Sequence, residues 1–249
     1  MENKSYGHFS TFYDTLMSDV NYKDVSNRID DLIIQYGKKR GTLLDLACGT
    51  GSVCEEMSQK GYDVIGADFS QEMLSVALDK KFDSGLPIQY VWQDMRKLDM
   101  YGTIDAIICT FDSLNHLENA EDIKTTFKRV SLFTELDGLF IFDVNTIYKH
   151  SKVLANNTFV YDCDNVYCVW QNYLNNDNSV DIQLDFFEKE NDTYNRYTEN
   201  FAEICLSEEE IEEMLKDCGF SVVAKFGGYT TDEVTNETER IVYVARKAS

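Results

Sequence analysis

The sequence predicts an α/β fold: a doubly wound, mainly parallel seven-stranded sheet with an N-terminal helical cap and a small inserted antiparallel β subdomain. Three observations predict it. From Thr42 onward short apolar runs alternate with amphipathic stretches, the rhythm of strand and helix units. Those runs are apolar at nearly every position, as strands buried on both faces must be. Between about 145 and 205 the rhythm changes to strict alternation, as in Asp181-Ile182-Gln183-Leu184-Asp185-Phe186, which suits a sheet with one wet face.

The elements follow in order. Tyr6, Phe9 and Tyr13, then Val25, Ile29, Leu32, Ile33 and Tyr36, recur at helical spacing and predict two helices forming a cap over residues 1–40. Leu43-Leu44-Asp45-Leu46-Ala47 is the first strand and runs into a glycine-containing turn. Strands are predicted over 63–68, 88–93, 104–109 and 139–143, with helices over 71–80, N-capped by Ser70, and 121–134. Asn- and Asp-rich turns at 162–165, 175–179 and 190–192 mark hairpins, so three or four antiparallel strands are inserted over 145–205. Ser207-Glu208-Glu209-Glu210 reads as a capping box opening a helix that Gly219 ends. Strands over 221–226 and 240–246 close the sheet as an antiparallel hairpin. The α/β domain thus comprises 41–144 and 206–249.

Composition bounds the function. The 249 residues include 23 Lys plus Arg against 44 Asp plus Glu, a net charge of −21, which disfavours DNA and large RNA as partners. No window approaches the roughly 20 apolar residues needed to span a bilayer, and residues 1–12 lack a signal-peptide stretch. The expectation is a cytoplasmic protein, monomer or homodimer, without a membrane partner. Seven cysteines with no C-x-x-C pair, beside three histidines, form no zinc or disulfide framework. They are expected as free, mostly buried thiols, and no metal is expected.

Chemistry concentrates in Asp45-Leu46-Ala47-Cys48-Gly49-Thr50-Gly51-Ser52, where the first strand meets the first helix of the sheet. Glycines there let a ligand approach the backbone, while the helix start offers unpaired N–H groups. A structural tight turn is the alternative. A nicotinamide dinucleotide is disfavoured because Cys54 stands where its third glycine would be. Asp68 ends the second strand, where a carboxylate can accept from both hydroxyls of a ribose. Asp94 and Met95 follow the third strand, placed to meet an adenine amino group and ring edge. Thr110-Phe111-Asp112-Ser113-Leu114-Asn115-His116-Leu117 follows the fourth. All stand at strand carboxyl ends, where open α/β sheets bind ligands.

These motifs resemble those of the Rossmann-like S-adenosylmethionine-dependent methyltransferases, in particular small bacterial stand-alone members with an inserted β-lid, over most of the chain. The resemblance implies that the loop residues Asp45, Ala47, Cys48, Gly49 and Gly51 hold the methionyl part of the cofactor. It implies a ribose-binding Asp68, an adenine pocket from Phe69 to Met73 completed by Asp94 and Met95, and Phe111 beneath the sulfonium. Phe9, Tyr13-Asp14, Met17 and Tyr22 resemble a cap closing over the cofactor, with Tyr13 covering it.

The implied reaction moves a methyl group from S-adenosylmethionine to an O or N of a small-molecule acceptor, leaving S-adenosylhomocysteine. Alignment is then most of the catalysis. Where the acceptor must lose a proton, His116 is the candidate base, the alternative being a structural histidine. His8 and His150 are expected on the surface or in loops. Tyr161, Tyr167, Trp170, Tyr173, Phe186, Phe187, Tyr194 and Tyr197 are either the core of the insert or an acceptor pocket. The competing functions are a cofactor-binding protein without transfer activity and an oxidoreductase.

Overall fold

The computed structural model describes residues 7–37, 40–163 and 165–248, with the side chains of 7–9 outside the description. The chain opens with two helices, α1 (Gly7–Leu16) and α2 (Tyr22–Tyr36). There follow β1 (Thr42–Leu46), α3 (Ser52–Gln59), β2 (Asp63–Asp68), α4 (Gln71–Ser84), β3 (Gln89–Trp92), β4 (Ile104–Cys109), α5 (Ala120–Phe133) and β5 (Thr134–Asn145). A second sheet is formed by β6 (Thr158–Cys163), β7 (Val166–Leu174), β8 (Val180–Glu190) and β9 (Thr193–Glu203). The chain then returns through α6 (Glu208–Asp217), β10 (Phe220–Gly227) and β11 (Arg240–Lys247).

The main sheet has the order β10-β11-β5-β4-β1-β2-β3. Its first five strands pair in parallel, and β11 lies antiparallel to both β5 and β10, as the closing hairpin requires. Strand side chains alternate between two cores. Leu44, Phe140, Phe142 and Tyr243 face α5 and α6 with Phe127, and Phe142 stacks on Tyr243 at 5.1 Å. Leu43, Ile141 and Val242 face the other way, toward Ile29, Leu32 and Ile33 of α2 and Met57 of α3.

The two N-terminal helices part company. While α2 belongs to the main core, α1 sends Phe12 into the core of the inserted sheet, where it stacks on Phe186 at 5.3 Å. Phe12 lies outside the aromatic spacing seen in the sequence. On its other side α1 is tied to the glycine loop and α4: Thr50 Oγ1 donates to Asp14 Oδ1 at 2.6 Å, and Lys80 Nζ lies 2.5 Å from Asp14 Oδ2.

Two boundaries differ from the sequence expectation by four residues or more. Helix α4 continues to Ser84, whose hydroxyl donates to the Lys80 carbonyl at 2.9 Å, and ends at Gly85 with φ +67°. Strand β5 starts at Thr134 rather than 139 because Glu135, Leu136 and Asp137 pass through an exposed irregularity that breaks the apolar pattern. Ser70 caps α4 by accepting from Met73 N. At α6 the full capping box forms: Glu210 N donates to Ser207 Oγ, and the Glu210 carboxylate accepts from Ser207 N. Removing it tests its weight. Ser207→Ala should lower the free energy of unfolding by about 1 kcal/mol, measured by urea denaturation; an unchanged midpoint would show that packing alone holds α6.

Candidate active site

Strands β1 and β4 are neighbours whose connections leave in opposite directions, and at their carboxyl ends lies a cavity of about 910 Å³. The main sheet supplies one wall, α1 a second, and the inserted sheet a third through Trp170 and Phe201.

At one end of the cavity the loop after β1 reverses by putting Ala47 (φ 61°), Gly49 (φ 54°) and Gly51 (φ 79°) in the left-handed region. The two glycines serve different ends. A Cβ built on Gly49 meets nothing within 4 Å, so that face of the backbone opens on the cavity, whereas one on Gly51 would lie 2.2 Å from the Tyr90 hydroxyl. Gly49 is bare for approach and Gly51 for packing. The Asp68 carboxylate fixes the loop by accepting from Gly49 N and from Ser70 N, both at 2.8 Å. Burial pushes this carboxyl upward, against the pull of those amides. Each oxygen retains a lone pair for a ligand hydroxyl.

Of the residues expected to bind the cofactor, Tyr13, Ala47, Gly49, Asp68, Phe69, Met73, Asp94, Met95 and Phe111 line this one cavity, as does His116. Cys48 lines a small adjoining recess. Asp45 and Gly51 stand behind the loop. Asp45 is 1% exposed, accepts from Cys54 Sγ at 3.2 Å, and is pushed up to about 7 by burial. Asp94 caps the turn Met95–Lys97 and is gripped by Arg96 through Nη2 at 2.7 Å. Burial raises this carboxyl, and the Arg96 bonds more than reverse that. An adenine amino group would share Asp94 with Arg96.

The other end is built from residues far apart in sequence. Phe111 (φ 55°) and Asp112 (φ 54°) are consecutive left-handed residues after β4, a strained arrangement costing on the order of 1–3 kcal/mol per residue. Arg240, at the start of β11, holds it. Its guanidinium donates to Asp112 Oδ1 at 2.6 Å and to Asp143 Oδ2. Asp143 also accepts from the Asp112 backbone N at 2.9 Å and from the Tyr229 hydroxyl. Asn145 Nδ2 bridges Asp112 Oδ2 at 3.0 Å and Glu203 Oε2 at 2.9 Å. Burial would raise Asp112, but Arg240 and Lys149 hold it well below the usual carboxylate range. Lys149 is pushed down by burial and by Arg240, and its Nζ donates to Asn145 Oδ1 at 2.9 Å.

His116 stands in this wall with its ring 5.1 Å from Phe201 and its Nε2 3.9 Å from Glu203 Oε1. His150 corrects an expectation: it is neither a surface nor a loop residue. It is 0% exposed in the helical segment Lys149–Leu154, with Nδ1 2.8 Å from the Asn178 carbonyl, because the turn between β7 and β8 closes over it. The side chain of His8 lies outside the described residues. The aromatic set divides: Phe186 is core, Tyr161 and Trp170 line the cavity, and Tyr167, Tyr173 and Tyr194 are exposed. Sequence reading missed Glu203, Lys149, Asn145 and Arg240. Asn145 and Arg240 carry one local signal, a polar or charged residue at the end of an apolar strand; Lys149 and Glu203 carry none.

Residues 43–138 match a family model described as a methyltransferase domain. YqeM of Bacillus subtilis, which carries a methyltransferase name, is 34% identical over 98% of this chain and 97% of its own length. A glycine/sarcosine N-methyltransferase of Halorhodospira halochloris is 38% identical over 45% of this chain and 44% of its own. Among solved structures, an S-adenosylmethionine-dependent methyltransferase from Clostridium acetobutylicum superposes with a TM-score of 0.89 at 36% identity, covering 98% of this chain and 99% of that one.

The buried Asp45 makes stability pH-dependent. In the unfolded chain it ionises near its ordinary value, while in the folded protein it keeps its proton to about 7. Folding is therefore penalised progressively between those values and by a constant amount above them. Asp45→Asn removes the penalty. Relative to this variant, the native protein should lose roughly 2–3 kcal/mol of stability between about pH 5 and pH 8, measured by urea denaturation at both. Parallel profiles would mean that Asp45 ionises freely.

Proposed function

We propose that this chain, which belongs to the S-adenosylmethionine-dependent methyltransferases, methylates a nitrogen or oxygen of a small polar acceptor held between the glycine loop and the inserted sheet. The observation that carries the reading is one cavity with two unlike ends: an open Gly49 backbone opposite Asp68, and a set of charged side chains around Asp112. Its cofactor is S-adenosylmethionine, which supplies when bound a methyl group on a sulfonium that departs as a neutral thioether.

The chain's own residues do the rest by holding and aligning. Asp68 accepts from the ribose hydroxyls through the lone pairs its amide partners leave. Phe69, Met73 and Met95 offer apolar edges to the purine, with Asp94 at its amino group. Ala47 and Gly49 meet the methionyl part, and Tyr13 and Phe111 close over it. The fit rests on the room at Gly49, where added carbon would enter the cavity. Trp170, Phe201 and Tyr161 exclude water from the acceptor end. A small acceptor suits an internal cavity of this size, and relatives matching half the chain are named for glycine and sarcosine. The net charge of −21 speaks against nucleic acid. Seven free thiols suit the reducing cytoplasm; among the described residues no helix is long and apolar enough to cross a membrane.

Two substitutions test the cofactor end. Asp68→Ala should weaken S-adenosylhomocysteine binding by about 1–3 kcal/mol, read by calorimetry; unchanged affinity removes the ribose role. Gly49→Val should abolish that binding while circular dichroism stays native, since its side chain enters the cavity and a β-branched residue at φ +54° also strains the loop that presents the amides. A valine variant that still binds would leave the loop a mere turn. For the acceptor, isotopically labelled methyl donor is incubated with fractionated cell extract, and label is expected in the small-metabolite fraction. Label confined to protein or RNA would overturn the small-acceptor reading.

A further inference from the structure

Resting on that reading, we infer that the acceptor is an amine, bound as its ammonium by Asp112, His116 and Glu203, and that Glu203 takes the proton whose loss frees the nitrogen lone pair. One acceptor atom from each of these three residues lies within 4.8 Å of the other two. Three acceptors each about 2.8 Å from one tetrahedral nitrogen stand roughly 4.6 Å apart, so the triad matches the three N–H donors of a primary ammonium. A hydroxyl has a single donor, so even with His116 donating to its oxygen it would leave one of the two carboxylates unmet.

The triad lies on the cavity wall, at the end away from Asp68. Its carboxylates are anchored from behind rather than consumed: Asn145 donates to both, and Arg240 holds Asp112. The 3.9 Å between His116 Nε2 and Glu203 Oε1 is too long for a direct hydrogen bond. A donor group placed between them can reach both.

Behind Glu203 lies a second sign that a proton is handled here. A carbonyl has no proton to give, so His150 Nδ1 must donate to Asn178 and carries its hydrogen. His150 Nε2 then faces Glu203 Oε2 at 3.4 Å with no hydrogen-bond partner among the described residues, on a side chain that is 0% exposed. A bare imidazole nitrogen and a carboxylate oxygen repel each other across such a gap unless one proton lies between them. Glu203 thus turns Oε2 toward His150 and leaves Oε1, which faces His116, as the oxygen open to the acceptor.

The step balances. One N–H bond of the ammonium breaks and its proton passes to Glu203. The freed lone pair forms the new nitrogen–carbon bond as the carbon–sulfur pair leaves with sulfur. The nitrogen regains its positive charge, and the proton on Glu203 is later lost to solvent.

The test uses the full chain saturated with S-adenosylhomocysteine, ¹⁵N-labelled at histidine, and titrated at constant ionic strength with ethylammonium chloride or with ethanol. Ethylammonium is expected to move the His116 and His150 ring signals saturably, and ethanol to leave them in place. Glu203→Gln, which keeps an oxygen for Asn145, should weaken ethylammonium binding at least roughly tenfold while S-adenosylhomocysteine affinity stays unchanged. Equal responses to ethanol and ethylammonium, no saturable shift with ethylammonium, or full ammonium affinity in Glu203→Gln would each overturn the inference. So would competition by manganese(II) that depends on Glu203, which would make the triad a metal site. The native protein's ammonium against ethanol comparison decides even where the variant does not fold. Failure of S-adenosylhomocysteine to bind by calorimetry would instead sink the cofactor reading beneath it.

Discussion

The guanidinium of Arg240, half-buried between Asp112 and Asp143, is the interaction on which the end of the cavity at β4, β5 and β11 depends. A charge taken out of water costs several kcal/mol unless its partners are close and fully bonded. Here two carboxylates meet it, and both are occupied further, by the Asp112 amide, the Tyr229 hydroxyl and Asn145. The cluster joins the ends of β4 and β5 to the start of β11. It also explains how two successive non-glycine residues, Phe111 and Asp112, remain in the left-handed region: removing the guanidinium would leave two buried carboxylates face to face beside a strained turn. Through Asn145 the same cluster reaches Glu203, the last residue of β9, and so fixes the inserted sheet against the main one.

The end of the cavity at Gly49 and Asp68 is built on another principle. Main-chain amides at Gly49 and Ser70 converge on one carboxylate, and shape comes from glycines and a left-handed alanine. Such a site is local in sequence: strand, tight turn, helix, then an acid at the end of the next strand. The other end is assembled from segments scattered over the chain whose side chains meet only once the sheet has formed.

That difference decides what the sequence disclosed. The seven-stranded order of elements, the Ser70 cap, the capping box at Ser207 and the inserted hairpins were legible because periodicity and capping are local signals. So were Gly49, Asp68 and Phe111, which belong to strand ends. Glu203 was not, because β9 is polar along most of its length and nothing local sets its last carboxylate apart. His150 looked like a loop histidine because the residues that bury it, such as Asn178, come from a turn 28 positions away. Asp45 carries the opposite lesson. Its place in the motif was plain, but burial behind the loop could be seen only once Cys54 and the β1–β2 pairing were in place.

Helix α1 shows how the two ends are joined mechanically. It touches both, yet the contacts are unequal in kind. Toward the glycine loop and α4 it offers Asp14 to Lys80 and Thr50, with Asp14 39% exposed, and ion pairs so placed contribute on the order of 1 kcal/mol or less. Toward the insert it buries Phe12 among Phe186, Leu184 and Cys168, an apolar contact worth roughly 2–3 kcal/mol. The firmer hold is on the inserted sheet. α1 therefore belongs with β6–β9, whereas α2, adjacent in sequence, belongs with the main sheet through Ile29, Leu32 and Ile33. The break falls at residues 17–21, the turn between the helices. Any opening of the roof over the cavity that parts the weaker contacts first must carry α1 and the inserted sheet together, and expose Gly49 and Asp68 while leaving the loop after β1 intact.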